Sequence, residues 1–495
     1  IIVDTVRPEK AGVSPKNIRK FIETLEKNRL VCHNVIMARG NSKFFEAYWQ
    51  PFDERFMHRM YSVSKSLVAI AIGFMLQDGL IGIDDKIIDY FGNYMKNQKD
   101  ENMRSQTIRH MLMMSTAKVE RSWFAAKPDD RVQFYFDNDI EESRPSGTIF
   151  QYDSAGSFIL GCLVENLSGM RLEDYLNEKL FSKIGITDKP YCLKCPGGHS
   201  WSDSAFIMRP DDLMKVARFV LNLGSWNGEQ LLNREYLEAA TSDLISNNDW
   251  DTCDVEGCGY GYFIWRTVGN CFFFNGMGCQ LAVCCPDKDM ILVFNGDNQG
   301  HEAAAKRVII ESFMELIVNS AEDGELESDD AETEKLADMV KTLKLSCAAG
   351  AKTSGIADKV NGVTYITEKN PMGITKFRLT FSGTEGVFEY TNAQGDKRLR
   401  FGMCENVFGE FPQEGYAGEI GTVATKGMYY KCAASAAWVH DNQLHIKVQI
   451  TDKYFGRLGI TFGFRDNLCG IRMNKCAEDF LDEYTGYASG KALPD

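Results

Sequence analysis

Ser62 and Lys65 are the residues whose types and spacing are best suited to chemistry in this sequence. They open a strongly apolar segment that continues through Leu76, with Gly79 as its stop, and this pattern predicts a largely buried helix. Because residues i and i+3 share one face of a helix, Lys65 is expected to reach the Ser62 hydroxyl. Burial disfavours the ammonium form of lysine, and the neutral amine can then activate the serine as a nucleophile.

The Ser-x-x-Lys pattern is weak evidence by itself, because it arises by chance in many proteins. Ser64 offers the same hydroxyl chemistry, but its spacing from Lys65 does not place the two side chains on one helix face. Backbone N–H groups at the start of the helix add donors for a developing oxyanion. The interpretation as a nucleophile and its base therefore depends on the segments around the pair.

Two further segments follow the pair in order. Residues 61–66 read YSVSKS, residues 79–91 read GLIGIDDKIIDYF and residues 107–115 read TIRHMLMMS. Together these segments resemble the serine β-lactamase and penicillin-binding-protein superfamily, especially its class C-like branch of esterases, D-amino-acid peptidases and 6-aminohexanoate-dimer hydrolases. The resemblance runs from about residue 35 to about residue 296, and it implies a serine hydrolase.

A second motif of that family, a tyrosine followed two positions later by Asn or Ser, matches Tyr152-Asp153-Ser154. The resemblance implies that Tyr152 acts with Lys65 as the general base toward Ser62 and later as the acid for the leaving group. It also implies that Ser154 holds the lysine and the substrate by hydrogen bonds. Without the resemblance, Tyr152 is a tyrosine before a helix, and burial with a satisfied hydroxyl is the default.

The third motif of the family places Lys or His, then Thr or Ser, then Gly on the strand that faces the site. The best local match is Asn275-Gly276-Met277, in which the basic residue is missing. That cation commonly meets a substrate carboxylate, so its absence disfavours β-lactam hydrolysis and release of a terminal D-alanine. Gly276 still permits close backbone approach, and the resemblance implies that the Met277 N–H pairs with the Ser62 N–H as an oxyanion hole.

Two groups of predicted strands flank the residues between these motifs. Residues 35–38 and 44–48 read as a hairpin around a turn at residues 39–42. A later antiparallel meander is expected at residues 262–265, 271–274, 280–283 and 290–294. Helices are expected between the two groups, at residues 66–77, 107–114, 155–168, 172–181, 210–223 and 234–240.

Helices inserted between the strands of one sheet predict an α+β domain, in which a helical lobe packs against an antiparallel sheet. A long amphipathic helix at residues 301–320 closes this domain, so we expect a β-lactamase/transpeptidase-like hydrolase domain over residues 1–320. Residues 321–345 then read as an acidic linker and short helix. Alternating segments beyond it predict an all-β, barrel- or sandwich-like domain over residues 346–495.

Bulk composition limits the classes of partner. Hydrophobic residues make up 44% and charged residues 25% of the chain, as in ordinary globular proteins. The formal net charge of -14 disfavours nucleic acid and anionic membranes, which need a basic face. We find no apolar run of transmembrane length. The expected partner is a small-molecule or short-peptide substrate, and the sequence leaves the oligomeric state open.

Cysteine usage favours a reducing compartment. The chain has 15 cysteines, an odd number in a large sequence, and this does not resemble a small disulfide scaffold. The sequence as given starts without the pattern of a secretory signal, so a cytoplasmic location is expected, or an exported one if a signal has been removed.

Five residues have spacing that a zinc site can use, and these are Cys192, Cys195, His199, Cys253 and Cys258. The second cysteine pair is spaced by four and the gap between the pairs is long, which favours reduced thiols instead. We therefore expect neither a metal nor an organic cofactor.

The sequence as a whole predicts a serine hydrolase that cleaves a small ester, amide or peptide, D-amino-acid peptides included, through an acyl-enzyme on Ser62. The alternative is a catalytically silent, penicillin-binding-like protein that binds or senses a ligand. Intact Ser62, Lys65 and Tyr152 favour the enzyme, whereas the altered third motif keeps the alternative open.

Overall fold

The computed structural model describes residues 4–96, 98–137, 142–250 and 254–494. The chain divides into two compact units. Unit 1 comprises Ile1–Lys344 with Glu419–Gly421, and unit 2 comprises Leu345–Gly418 with Thr422–Asp495. The main boundary between the units therefore falls between Lys344 and Leu345.

Unit 1 contains both strands and helices. Its described strands are β1 (Asp4–Thr5), β2 (Cys32–Arg39), β3 (Ser42–Tyr48), β4 (His58–Arg59), β5 (Tyr191–Cys192), β6 (Phe206–Met208), β7 (Ser225–Trp226), β8 (Glu229–Gln230), β9 (Trp265–Arg266), β10 (Phe272–Gly276), β11 (Gln280–Cys285) and β12 (Met290–Gly296). Its described α-helices are α1 (Pro15–Lys27), α2 (Val63–Gln77), α3 (Ile88–Phe91), α4 (Glu101–Arg104), α5 (Ile108–Leu112), α6 (Arg131–Asp137), α7 (Ser154–Ser168), α8 (Leu172–Leu176), α9 (Pro210–Leu221), α10 (Arg234–Ala240), α11 (Glu302–Phe313) and α12 (Asp330–Thr342).

The main sheet of unit 1 has seven strands in the order β1-β3-β2-β12-β11-β10-β9. The predicted hairpin is confirmed as β2 and β3, which pair antiparallel. Strand β2 is buried along almost its whole length because it lies between β3 and β12, inside the sheet. Helix α9 packs on β11 and β12, and α2 contacts β10. The helical lobe is thus inserted between β3 and β9, as an α+β domain requires.

The first strand of the predicted meander, at residues 262–265, is wrong, because only Trp265 and Arg266 form a strand there. Phe263 has a φ of 52°, which is incompatible with an extended chain. Its N–H donates to Leu112 O and the N–H of Tyr262 donates to Ala240 O. The segment therefore bends to bond with the ends of two helices instead of pairing in the sheet.

Helix α2 is the most buried helix near the predicted nucleophile. Every residue from Val63 to Met75 is buried, because α7, α8, α10 and β10 surround the helix. It ends where Gly79 adopts a left-handed conformation with a φ of 71°, and the Leu80 N–H then returns to Met75 O. The predicted stop at Gly79 is confirmed.

The acidic segment after α11 forms part of unit 1. The Asp329 side chain caps α12 by accepting the Glu332 N–H at 3.0 Å. Arg19 on α1 forms an ion pair with Glu332 at 3.1 Å. Residues 321–345, expected to be an acidic linker and short helix, include α12, and this helix is tied to α1.

Unit 2 is an all-β domain. Its described elements are α13 (Ala357–Val360), β13 (Thr364–Thr367), β14 (Lys376–Ser382), β15 (Glu385–Asn392), β16 (Gly395–Met403), β17 (Val407–Glu410), β18 (Lys431–His440), β19 (Gln443–Thr451), β20 (Phe455–Arg465), β21 (Leu468–Ala477) and β22 (Gly486–Ala492). The sheet order is β16-β15-β14-β13-β22-β21-β20-β19-β18-β17, and a further pairing of β16 with β18 closes it into a barrel. Of the two predicted forms, barrel and sandwich, the barrel is confirmed.

Side chains in the barrel alternate between its interior and its outer face. Strand β20 alternates buried with half-buried residues along most of its length. Phe377, Phe388 and Phe462 fill the interior, with the rings of Phe388 and Phe462 5.1 Å apart. Within the part of the chain that the structure describes, the helices lack the length and apolar content needed to cross a bilayer.

Candidate active site

Ser62 and Lys65 lie on the first turn of α2, with Ser62 as the residue that precedes the helix. Lys65 Nζ donates a hydrogen bond to Ser62 Oγ at 2.9 Å. The two side chains therefore meet as their three-residue spacing predicts.

Lys65 is fixed by a second hydrogen bond, from Nζ to the main-chain oxygen of Asp203 at 2.7 Å. Burial lowers the pKa of Lys65 to about 8, although the carboxylates of Asp203 and Asp153 oppose that shift. A substantial fraction of Lys65 is therefore neutral near pH 8 and can accept a proton. Asp203 itself is fully buried, and its carboxylate accepts a hydrogen bond from Trp123 Nε1 at 3.0 Å.

Tyr152 joins the pair from the segment before α7. The Asp153 carboxylate caps α7, accepting the Gly156 N–H at 3.1 Å and the Thr116 hydroxyl at 2.8 Å, and so holds the preceding tyrosine in place. The Tyr152 ring centroid lies 5.0 Å from Lys65 Nζ. Desolvation raises the pKa of Tyr152, and a hydrogen bond with the Ser62 side chain opposes that rise. The three side chains therefore lie together, with Lys65 hydrogen-bonded to Ser62 and the Tyr152 ring beside the Lys65 amine.

The other hydroxyls of the nucleophile segment serve the fold. Ser64 Oγ accepts the Phe206 N–H at 3.0 Å, and Ser66 Oγ donates to Phe263 O at 2.7 Å. Both residues are buried. Ser62 is therefore the serine of this segment that remains available for chemistry.

The end of β10 runs beside the start of α2. A Cβ atom added to Gly276 would lie 2.3 Å from Met60 O and 3.3 Å from the Ser62 nitrogen, so only glycine fits there. Across residues 4–96, 98–137, 142–250 and 254–494, neither the Ser62 N–H nor the Met277 N–H has a hydrogen-bond acceptor. Two backbone donors are thus unused at this junction.

Asn275, the residue in place of the family's cation, is held by a buried charge cluster. Its Nδ2 donates to Glu256 Oε1 at 2.8 Å, and Lys306 on α11 forms an ion pair with the same carboxylate. Lys306 also lies 3.7 Å from Glu302, which accepts the N–H of Gly278. Lys306 is therefore neutralised by two carboxylates.

Ser154, expected to hold the lysine, is the first residue of α7, and its main-chain oxygen accepts the Ser157 hydroxyl at 2.7 Å. Among the described residues, the hydrogen bonds of Lys65 run to Ser62 and Asp203 instead. Ser154 is thus adjacent to the site without bonding to the lysine.

Aromatic rings line one side of Tyr152. The Trp250 and Trp265 rings lie 5.4 Å and 5.7 Å from it, and Phe150 lies 6.0 Å from Trp250. Phe150 and Trp250 are partly exposed, whereas Trp265 is buried. We call Phe150, Trp250 and Trp265 the aromatic wall.

The zinc-like spacing does not bring its residues together in the described ranges. There, no group of three or more His, Cys, Asp or Glu side chains is arranged to hold a metal ion. His199 Nδ1 bonds to Glu165 Oε2 at 2.7 Å. Cys253 lies outside the described residues.

Comparison with known proteins gives three consistent matches. A sequence model described as Beta-lactamase matches residues 18–312. A 6-aminohexanoate-dimer hydrolase from Paenarthrobacter ureafaciens is 21% identical over 218 residues, which are 41% of this chain and 55% of that protein. A penicillin-binding protein from Bacillus subtilis (strain 168) is 20% identical over 190 residues, which are 35% of this chain and 41% of that protein. The chain thus spans about half the length of these curated relatives.

One solved structure is similar along nearly the whole chain. It is the octameric penicillin-binding protein homologue from Pyrococcus abyssi, with 14% identity and a TM-score of 0.50, covering 96% of this chain and 99% of its own. At this identity the similarity shows the fold alone. With the family match, it gives a β-lactamase/transpeptidase-like fold followed by the barrel of unit 2.

Proposed function

Because the chain belongs to the beta-lactamase family, we propose that it is a serine hydrolase that cleaves a small ester, amide or short peptide through an acyl-enzyme on Ser62. The observation that carries this proposal is the grouping of Ser62 with Lys65, to which it is hydrogen-bonded, and with Tyr152, whose ring lies beside the Lys65 amine. A hydroxyl that contacts a buried lysine of lowered pKa and a tyrosine has the partners that a nucleophilic serine needs.

The reaction would proceed by acyl transfer to water. Ser62 Oγ attacks the substrate carbonyl while its proton passes to the group formed by Lys65 and Tyr152. The N–H groups of Ser62 and Met277 stabilise the oxyanion, and Tyr152 returns the proton to the leaving group. Water then attacks the acyl-enzyme, and the same residues move its protons in reverse. The two unused donors beside Gly276 support this assignment.

The surroundings of the site favour a substrate without a carboxylate. Asn275 replaces a cation, and the carboxylates of Asp203, Glu302 and Glu256 all raise the pKa of Tyr152. An anionic substrate group would meet this negative field, and Asn275 offers no positive charge to bind it. The aromatic wall supports an apolar group next to the scissile bond. The relative named 6-aminohexanoate-dimer hydrolase is consistent with amide cleavage.

The decisive experiment is intact-mass spectrometry after exposure to a fluorophosphonate and, separately, to a penicillin, with peptide mapping of any adduct. We expect one fluorophosphonate adduct on Ser62 and no penicilloyl adduct. Ser62→Ala should lose the adduct and all turnover at a nearly unchanged Tm, whereas Ser64→Ala is the matched control that keeps the adduct. Turnover in Ser62→Ala would remove the nucleophile assignment, and a stable penicilloyl-Ser62 would overturn the argument against carboxylates.

A catalytically silent binding or sensor protein remains the second candidate, because the third motif is altered and Asn275 is engaged by Glu256. Such a protein would form no adduct with either reagent. The same experiment therefore separates the two functions.

A further inference from the structure

We propose that Cys271 and Cys285 form a thiol pair that a peroxide oxidises to an intramolecular disulfide. Cys271 directly precedes β10 and Cys285 ends β11, so the two residues stand opposite each other one position beyond the register pair of Phe272 with Cys284. Their Sγ atoms are 2.9 Å apart. A disulfide bond is about 2.05 Å long, so closing it needs a movement of roughly 0.9 Å.

The pair is buried but lies close to the surface. Cys271 is 4% exposed and Cys285 is 1% exposed. Each adjoins an exposed turn, residues 269–270 before Cys271 and residues 286–287 after Cys285. A peroxide is small enough to enter such a site, whereas a bulky disulfide reagent is not. The Sδ atom of Met314 contacts both sulfur atoms, at 3.9 Å and 3.7 Å.

The two thiols are not equivalent, and this sets the order of the steps. A hydrogen bond with Cys285 lowers the pKa of Cys271, while the same bond and burial raise the pKa of Cys285. The Cys271 thiolate therefore attacks a peroxide oxygen, the O–O bond breaks, and a sulfenic acid forms. The hydroxide released takes up the proton that Cys271 had lost and becomes water.

Cys285 then attacks the Cys271 sulfur, which breaks the S–O bond and forms the S–S bond. The departing hydroxyl leaves as a second water with the proton of Cys285. In total, two thiols give up two electrons and two protons, and one hydrogen peroxide is reduced to two waters. The inference depends on the fold of β10 and β11 and is independent of the proposed hydrolase function.

Cys284 provides a matched control because it neighbours Cys285 on β11 and faces the other side of the sheet. Its Sγ lies 3.9 Å from Ala217 O, and burial raises its pKa. It has the same strand, burial and residue type, without a sulfur partner at bonding distance among the described residues.

The test is peptide mapping of the full-length protein after treatment with hydrogen peroxide and blocking of the remaining thiols under denaturing conditions. After digestion with chymotrypsin, which cuts after the phenylalanines between the two cysteines, we expect a Cys271 peptide and a Cys285 peptide that are linked with the loss of two hydrogen atoms and that dithiothreitol separates. The linked protein should have a higher Tm, since the bond restrains the unfolded chain. Cys284→Ser should still form the link, and Cys271→Ala should not.

Absence of the linked peptide in the unsubstituted protein would overturn the proposal, whatever the variants do. So would Cys271 accumulating as sulfinic acid, because Cys285 would then be too slow to resolve it. A gain of oxygen that dithiothreitol does not reverse, mapped to Met314 alone, would show that the thioether and not the thiol pair reacts with the peroxide.

Discussion

At the residue scale, burial of the Lys65 amine determines which chemistry is available. Lys65 is 1% exposed, and its two hydrogen bonds, to Ser62 Oγ and Asp203 O, are contacts that a neutral amine can keep. The protein thereby removes the solvation that normally keeps a lysine charged. In the proposed function, this amine serves as a base at moderate pH without a histidine.

The pH dependence of the rate should report this shift. The folded-state pKa of Lys65 is lowered to about 8, so below that pH the residue is an ammonium ion that cannot accept the Ser62 proton. We expect kcat/KM to rise with pH and to level off above about pH 8. Lys65→Arg, which stays charged, should be inactive at every pH. A rate that is independent of pH across this value would contradict the assignment of Lys65 as part of the base.

Tyr152 gives a second test at the same scale. Tyr152→Phe removes the hydroxyl that bonds to Ser62 and should lower kcat by about 10²–10⁴-fold, the usual contribution of general acid–base catalysis. The matched control is Tyr260→Phe, because the Tyr260 ring packs 5.0 Å from both Phe150 and Trp265. Steady-state kinetics with a neutral aryl ester would measure both variants, and equal losses would argue that Tyr152 acts only through packing.

Sequence spacing predicts the contact of Ser62 with Lys65 because both lie on one turn of a helix. The family motif adds Tyr152, which spacing alone cannot connect to a residue 90 positions away. No pattern in the sequence indicates the contacts of Asp203, Glu256 and Lys306. Asp203 contributes a backbone oxygen 138 positions from Lys65, and Glu256 and Lys306 meet across 50 positions. Their proximity depends on how the helical lobe folds back on the sheet.

At the element scale, the site exists because the start of α2, the start of α7 and the end of β10 converge. Helix α2 is held by the Tyr236 hydroxyl, which donates to Ala69 O at 2.6 Å, while the Tyr236 ring fills the space beside Gly73. The helix starts supply N–H groups, and the glycine at the end of the strand allows the backbone of β10 to come close to that of α2. Each element contributes backbone as well as side chains.

Gly276→Ala should break this convergence. The added methyl group would collide with the carbonyl oxygen of Met60, a backbone atom that cannot rotate away. We expect a loss of about 1–3 kcal/mol in the free energy of unfolding and a much larger loss of activity. Gly463→Ala on β20 is the control, since nothing lies within 4 Å of its Cβ position. Chemical denaturation measures the stability of both variants. If Gly276→Ala kept its stability and activity, the space between β10 and the start of α2 would be larger than described.

Element types follow from sequence more readily than element ends. Local patterns predict α7 and α10 to within a residue, because α7 is an apolar run that ends before Gly169 and α10 begins after the capping residue Asn233. The apolar residues 262–265 look like a strand because hydrophobic runs do not distinguish sheet pairing from packing. The left-handed backbone of Phe263 is set by tertiary bonds that no local pattern encodes.

At the scale of the whole molecule, unit 1 includes the acidic segment that follows α11. Glu9 is 2% exposed, and it accepts the Asp329 N–H at 3.1 Å. The Gln50 N–H donates to Leu343 O at 3.1 Å. Most acidic side chains of this segment are exposed, and Arg7 and Arg19 tie the segment to the rest of unit 1 through ion pairs with Asp330 and Glu332.

Two shortened chains would test where unit 1 ends. A chain that stops at Lys344 keeps α12 and its bonds to Glu9 and Arg19, whereas one that stops at Ser320 loses them. We expect the Tm of the shorter chain to be lower by at least about 1–2 °C, the change that 1 kcal/mol gives in a unit as long as Ile1–Lys344. Calorimetry on both chains measures the difference, and equal Tm values would restore the view of residues 321–345 as a linker.

Because β2 pairs with β12, the main sheet of unit 1 depends on two strands that are synthesised far apart in time. Strand β12 is about 250 residues further along the chain than β2, and ribosomes add roughly 5–20 residues per second, so β2 waits about 10 to 50 s for its neighbour. Throughout that interval its unpaired edge is a template for other nascent chains. The main sheet of unit 1 can be completed only after residue 296 leaves the exit tunnel. We therefore expect a chaperone that shields β2 and β3 to raise the yield of folded protein.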